Sequence, residues 1–140
     1  MTQAAKDMGV ALTVKQALSL DRQTGLHIAE EIIAAGQLPD AIFAVNDVIA
    51  LAIISHLISV GIRVPEDVSV LGYDNISGVE MEPIPLSSVS QSPYLLGTIV
   101  AQQLITDISA QEDHVHKHVV FHSHVVERAS TAVKVSGLNP

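Results

Sequence analysis

Two short apolar segments, each followed directly by polar residues, stand out in the hydrophobic pattern of the chain. They are AIFAV at residues 41–45 and VSVLGY at residues 68–73. Apolar runs of this length bounded by Pro or Gly are typical of strands buried on both faces of a parallel sheet. Residues 48–60 between them are numerous enough for a helix. The pattern therefore predicts a βαβ unit with parallel strands and a right-handed crossover.

Cap and breaker residues predict the remaining elements. Asp21 can cap a helix extending to about Ala35, where Gly36 ends it. A second helix is expected from Ser92-Pro93 to about Ser109, since Ser is a good cap and Pro suits the first helical position. We also expect weak strands at 10–14 and 87–91, a loop at 75–86, and two short strands within 114–128.

The order of these elements predicts an α/β fold with a doubly wound, mostly parallel sheet flanked by helices and late antiparallel edge strands. A length of 140 residues corresponds to one domain of ordinary size. We assign residues 1–131 to a single α/β lobe and residues 132–140 to a loose C-terminal tail.

The predicted helix at residues 48–60 is apolar almost all round. A helix that covers one face of a sheet needs only one apolar stripe. The additional apolar residues therefore predict a second buried surface on this helix, most simply one that contacts a partner subunit. Asp47 is interpreted as the N-cap of this helix. The candidate dimer-interface residues are Val48, Leu51, Ile54, Ser55 and Ile58.

Polar side chains follow both strands of the βαβ unit at the carboxyl edge of the sheet, where open α/β sheets bind ligands. Asn46 follows the first strand and Asp74 follows the second. A carboxylate accepts hydrogen bonds from vicinal hydroxyls, and an amide both donates and accepts, so the pair could hold a polyol. The alternative is that Asn46 only shapes the strand-to-helix turn and Asp74 only a loop.

Charge and composition exclude several classes of function. A formal net charge of −8 with seven scattered Lys and Arg residues disfavours nucleic-acid binding by this chain. The absence of cysteine excludes disulfides, a thiol nucleophile and a thiolate metal site. We see no signal peptide and no stretch long enough for a membrane span, and expect a soluble, cytoplasmic protein with no membrane partner.

The histidines suggest a metal site, which we weigh against a solvated edge strand. His114, His116 and His118 alternate, as do His122 and His124, so each set would share one face of a strand. No Cys, Asp or Glu within the alternation completes a ligand set, and we expect no native metal and no cofactor. Glu80 and Glu82 are interpreted as loop residues. We find no nucleophile–base arrangement or phosphate-binding Gly loop, and expect no enzymatic activity.

Four segments together resemble the LacI/GalR-type bacterial transcription regulators. They are LPDAIFAVNDVIALAII, GIRVPEDVSVLGYDN, PLSSVSQSPYLLG and VVERAST, in this order and spacing. The resemblance covers residues 26–131 and implies one lobe of a periplasmic-binding-protein-like effector domain. By resemblance this is the C-terminal lobe, without the N-terminal lobe and the DNA-binding headpiece. The helix at residues 92–110 would then belong with the missing lobe.

The resemblance also implies roles for three residues. Asn46 and Asp74 match family positions that hydrogen-bond effector hydroxyls, and Gln91 matches a crossover position that often contacts the ligand. An effector-contacting Arg of the family would precede the chain. Leu20 stands where many relatives have an aromatic ring for stacking on a sugar, which weakens the expectation that the effector is a sugar.

The expected function is therefore the effector-binding and dimerising part of a transcriptional repressor. Its partners would be a sugar or sugar-like effector, a second copy of the chain, and operator DNA only through the headpiece. The alternatives are the lobe of a transporter's solute-binding protein, a His-cluster metalloenzyme, and a module that only dimerises. These classes of protein are distinguished by whether the protein binds a small molecule, a metal ion or DNA.

Overall fold

The computed structural model describes residues 2–109 and 117–133 of the chain. The described residues form the helices α1 (Thr2–Asp7), α2 (Arg22–Ala34), α3 (Asp47–Ser59) and α4 (Pro93–Ser109), and the strands β1 (Ala41–Phe43), β2 (Ser69–Tyr73), β3 (Ser87–Ser90) and β4 (His124–Val126). None of the helices in these ranges is long and apolar enough to cross a membrane.

The four strands form one mixed sheet in the order β1-β2-β3-β4. β1 pairs parallel with β2, and β2 pairs parallel with β3, with Gly72 opposite Ser88. β4 pairs antiparallel with β3, with Val125 opposite Val89. The predicted parallel pairing of the βαβ unit and the antiparallel edge strand are confirmed.

The predicted start and end of α2 are also confirmed. Asp21 has extended backbone angles, and its carboxylate accepts a hydrogen bond from the Thr24 backbone N–H at 2.8 Å. Hydrogen bonds from the Ser19 hydroxyl and then from Thr24 lower the pKa of the Asp21 carboxyl. At the other end, Gly36 has a φ of 73°, the left-handed conformation that glycine adopts without steric cost.

The core lies where α2 packs on α3 and α3 packs on the sheet. Ile53 and Leu57 of α3 are almost completely buried, together with Val68 and Val70 at β2. The close approach of the two helices requires Gly25, because a Cβ there would lie 2.6 Å from the Cβ of Ala52. Burial of these aliphatic side chains stabilises the fold by roughly 1.5–3 kcal/mol for each large one.

Three predicted features differ from the structure. Residues 10–14 are exposed and form no strand, since none of the strands among the described residues pairs with them. Residues 117–123 are likewise outside any strand, so within the described part of 114–128 only β4 is a strand. Asp47 is not the cap of α3: Asn46 is, and Asp47 lies in the first turn of the helix.

α4 lies apart from the core. It has no buried residue, although apolar side chains project from it along its length. Leu104, Ile105 and Ile108 each have more than half of their surface exposed. Helix α4 begins at Pro93 as predicted, but its apolar side chains contribute nothing to the core that α2 and α3 share with the sheet.

Candidate functional site

The three predicted effector-binding residues lie at one edge of the sheet. Asn46 follows β1 in the turn to α3, Asp74 follows β2 directly, and Gln91 follows β3 directly. Because β1, β2 and β3 are parallel, their carboxyl ends meet at this edge. The structure therefore places the three side chains on neighbouring strand ends.

Asn46 joins the edge of the sheet to α3. Its side-chain oxygen accepts a hydrogen bond from the Ile49 backbone N–H at 2.9 Å, and its Nδ2 donates to the Leu20 carbonyl oxygen at 3.3 Å. A primary amide carries two donors and two acceptor positions. One of each is used within the chain, so Asn46 keeps one donor and one acceptor for a ligand while serving as the helix cap.

Asp74 and Gln91 contact each other directly. Gln91 Nε2 donates to the Asp74 carboxylate at 3.3 Å, and the Asp74 backbone N–H donates to the Val89 carbonyl oxygen at 3.0 Å. The side chain of Asp74 is exposed. A carboxylate has about four acceptor positions, so it can accept hydrogen bonds from hydroxyl groups while it keeps the Gln91 contact.

The backbone at Asp74 adopts an uncommon conformation. Asp74 has a φ of 99° and Asn75 a φ of 52°, both in the left-handed region. Non-glycine residues in this region cost of order 1–3 kcal/mol each and persist only when surrounding contacts hold them. The contacts of this turn therefore decide where the Asp74 carboxylate lies.

A buried carboxylate contacts this turn once directly and once through a serine hydroxyl. Asp47 is completely buried, and its carboxylate accepts from the Ile76 backbone N–H at 2.8 Å and from the Ser88 hydroxyl at 2.6 Å. The Ser88 hydroxyl in turn accepts from the Asn75 backbone N–H at 3.0 Å. Asp47 thus links the first turn of α3 to β3 and to the turn that follows β2.

Arg128 contacts the same turn from the end of β4. One guanidinium nitrogen donates to Asn75 Oδ1 at 2.9 Å, and the other donates to the Leu86 carbonyl oxygen at 2.6 Å. Asn75 and Leu86 lie at the two ends of the predicted loop at residues 75–86. A single guanidinium therefore bridges both ends of this loop.

Sequence reasoning missed Ser88 and Arg128 as part of this site and gave Asp47 the wrong role. One signal was available in Gly72, because a glycine inside a strand often marks a close approach of another group. A Cβ at Gly72 would come closer than 3.0 Å to the Asp47 carboxylate. This glycine leaves the space that the buried carboxylate occupies.

Aromatic side chains lie next to the polar edge. Tyr73 and Phe121 line a cavity of about 150 Å³ together with Gln91, Leu96 and Ser123. Tyr73 also packs edge-to-face against Phe43, with the ring centroids 6.3 Å apart. The exposed Leu20 offers no ring, as the sequence indicated, but the rings of Tyr73 and Phe121 line the same cavity as Gln91.

The proposed metal ligands are only partly within the described residues. His114 and His116 lie outside them, and His118 and His122 are not in a strand. Within residues 2–109 and 117–133, no three His, Cys, Asp or Glu side chains are grouped so that they could hold a metal ion. Glu80 lies in the loop, where its carboxylate accepts from the Gly78 backbone N–H at 3.2 Å.

The predicted dimer-interface residues differ in exposure along α3. Val48 and Ile58 are 38% and 44% exposed, Ser55 is exposed and Leu51 is half-buried. Ile54 is only 5% exposed because it packs in the core of its own chain. Ile54 is therefore unavailable to a partner, whereas the other four residues retain accessible surface.

Comparison with known proteins relates the chain to transcription regulators. A family model described as a periplasmic binding protein-like domain matches residues 2–131. The HTH-type transcriptional repressor PurR of Vibrio cholerae serotype O1 (strain M66-2) is 39% identical over 107 residues, which are 75% of this chain and 31% of that protein. The chain spans about a third of the length of the curated relatives it matches.

Two solved structures share the fold. A LacI-type transcription regulator from Bifidobacterium animalis subsp. lactis DSM 10140 superimposes with a TM-score of 0.86 at 27% identity, covering 94% of this chain and 48% of that chain. The transcriptional regulator CelR in complex with cellobiose gives a TM-score of 0.78 at 30% identity, covering 91% and 39% respectively.

Proposed function

Because the chain belongs to the periplasmic binding protein-like, effector-binding domains of LacI/GalR-type transcription regulators, we propose that it forms one wall of an effector cleft in a cytoplasmic repressor. The observation that carries the proposal is the meeting of Asn46, Asp74 and Gln91 at the carboxyl edge of three parallel strands. A first lobe would supply the opposite wall, and a DNA-binding headpiece would contact the operator.

The chemistry of this edge fits a polyhydroxylated ligand. The Asp74 carboxylate and the free donor and acceptor of Asn46 can bind neighbouring hydroxyl groups, and the aromatic faces of Tyr73 and Phe121 can cover an apolar ring face. The cellobiose bound to the related regulator CelR supports a sugar or sugar-like effector.

The position of α4 supports a two-lobed arrangement. A helix with exposed Leu104, Ile105 and Ile108 and no buried residue leaves a large apolar surface in water. We assign residues 92–110 to the first lobe of the intact protein, where that surface would be covered. The remaining residues of the range 1–131 would then form the C-terminal lobe, which is followed by the tail at 132–140.

The exposed apolar residues of α3 support a homodimer. Val48, Leu51 and Ile58 with Ser55 form the accessible part of the predicted interface. In a dimer, closure of the lobes on an effector would change the spacing of the two headpieces, and the effector would shift the population between two arrangements.

DNA binding by the full-length protein tests the proposal. Fluorescence anisotropy measures binding to labelled DNA from upstream of its own gene, with and without cellobiose and a panel of mono- and disaccharides. We expect DNA binding that at least one sugar changes. Sugar binding without DNA binding would instead favour a solute-binding protein, and stoichiometric zinc that survives dialysis would favour a metalloenzyme. Dimerisation without binding of any small molecule would indicate a module that only dimerises.

A further inference from the structure

The turn after β2 is held by groups that do not reach the cleft. Asp47 and Ser88 are each 0% exposed, so neither can contact a ligand at the edge of the sheet. Their polar atoms nevertheless bind the turn: Asp47 accepts from the Ile76 backbone N–H and Ser88 accepts from the Asn75 backbone N–H. Both amides directly follow Asp74.

Each oxygen of the Asp47 carboxylate faces one hydrogen-bond donor, Oδ1 the Ser88 hydroxyl and Oδ2 the Ile76 backbone N–H. The Ser88 hydroxyl uses its one hydrogen to donate to Asp47 at 2.6 Å, which leaves its lone pairs for Asn75. An ionised carboxylate only accepts, so both of its oxygens match the two donors that face it. An amide would turn an NH₂ group toward one of them.

We propose that Asp47 and Ser88 are positioning residues that fix the Asp74 carboxylate for effector binding, an inference that rests on the proposed function. By holding the two amides after Asp74, they maintain the left-handed backbone of Asp74 and Asn75 and thereby the direction of the exposed carboxylate. They act through Asp74 and do not touch the effector. The VND segment thus has two roles, since Asn46 faces the cleft edge while Asp47 supports the neighbouring strand end.

A matched pair of serines separates positioning from general stability. Ser87 and Ser88 are neighbours on β3 and are both completely buried. The Ser87 hydroxyl accepts from the Arg128 backbone N–H at 2.8 Å and contacts Thr131 at 2.8 Å. Its bond is to the Arg128 backbone and not to the guanidinium, which makes its own hydrogen bonds to Asn75 and the Leu86 carbonyl. Because side chains alternate along a strand, Ser87 faces away from Asp47 and the Asp74 turn. Ser87→Ala and Ser88→Ala therefore remove similar contacts on opposite faces of one strand.

The experiment compares Ser88→Ala with Ser87→Ala in the full-length protein. Amide hydrogen exchange is followed at residues 75 and 76. A sugar panel that includes cellobiose is first screened with the wild-type protein. Calorimetry then measures the affinity of each protein for the sugar that the wild type binds. For Ser88→Ala we expect faster exchange at both amides, by about tenfold or more, because their hydrogen bonds open locally. We also expect sugar affinity to fall by about tenfold or more, which corresponds to 1.4 kcal/mol.

Ser87→Ala should leave exchange at residues 75 and 76 and sugar affinity near wild type, although its melting temperature falls. Equal effects of the two variants on affinity would overturn the inference, and so would faster exchange in Ser88→Ala with unchanged affinity. If Ser88→Ala does not fold, Asp47→Asn undergoes the same measurements with the same expected direction. A wild-type protein that binds no sugar in the panel refutes the sugar-binding proposal, while the exchange comparison still decides whether Ser88 holds the turn.

Discussion

Replacing Gly72 with alanine should destabilise the protein strongly, because the new methyl group enters the space of the Asp47 carboxylate. The added Cβ would lie closer than 3.0 Å to Asp47 Oδ1 and at 3.0 Å from a methyl carbon of Leu86. Overpacking of a buried site costs typically about 1–3 kcal/mol. A displaced carboxylate would also leave the Ile76 N–H or the Ser88 hydroxyl unpaired, at about 1–3 kcal/mol for each buried group. The expected loss in the free energy of unfolding is about 2–6 kcal/mol.

Urea unfolding followed by circular dichroism measures this loss, which corresponds to a decrease of about 1–3 M in the midpoint for a protein of this size. Gly97→Ala is the matched control, since a Cβ at Gly97 in α4 meets nothing within 4 Å. In a helix interior alanine is favoured over glycine by roughly 0.5–1 kcal/mol, so this variant should be as stable as wild type or more stable. Wild-type stability of Gly72→Ala would refute the close contact between β2 and Asp47.

Three further predictions concern other parts of the structure. Ser130→Ala should lower the free energy of unfolding, measured in urea, by about 1–3 kcal/mol. The reason is that the buried hydroxyl donates to the Val70 carbonyl at 2.7 Å and accepts from the Ser87 N–H at 2.8 Å. An unchanged free energy of unfolding would contradict these contacts. Hydrogen bonds from Arg63 lower the pKa of Asp67 to about 2 from an ordinary value of 3.8. The stability that this pair contributes is therefore present above about pH 4 and should be lost as pH falls toward about 2. NMR titration should find this lowered pKa in the wild type and a value near the ordinary one in Arg63→Ala; an ordinary pKa in the wild type would contradict the ion pair. Val48→Glu should shift the full-length protein toward monomer in analytical ultracentrifugation at micromolar concentration. Val133→Glu, a control at another exposed valine, should leave the oligomeric state unchanged. A wild-type protein that is monomeric at this concentration would contradict the proposed dimer.

The sequence predicted the elements that depend on local pattern. The parallel strands β1 and β2, the cap at Asp21 and the helix stop at Gly36 all follow from apolar periodicity and cap chemistry within a few residues. The strand at residues 10–14 was wrong because alternation alone does not supply a neighbouring strand. Pairing is a long-range property that the local pattern does not contain.

The candidate site shows the same division between local and long-range information. Polar residues at strand ends correctly located Asn46 and Asp74 on one edge of the sheet. Gln91, which only the family resemblance singled out, lies on the same edge. The role of Asp47 was wrong because Asn and Asp are about equally good caps and stand next to each other. The contacts that distinguish them come from Ile76 and Ser88, which are 29 and 41 residues away.

Sugar binding by an Asp74 variant tests the central claim most directly. Calorimetry of the full-length protein with a sugar panel that includes cellobiose should find at least one sugar that binds. Asp74→Ala should reduce the affinity for that sugar by about 100-fold or more, because the carboxylate would accept from neighbouring hydroxyl groups and hydrogen bonds to charged groups contribute about 1.5–3 kcal/mol each. Glu66→Gln, which changes an exposed carboxylate away from the cleft edge, should bind as wild type does. Unchanged affinity in Asp74→Ala would contradict the assignment of this sheet edge as a wall of the effector cleft.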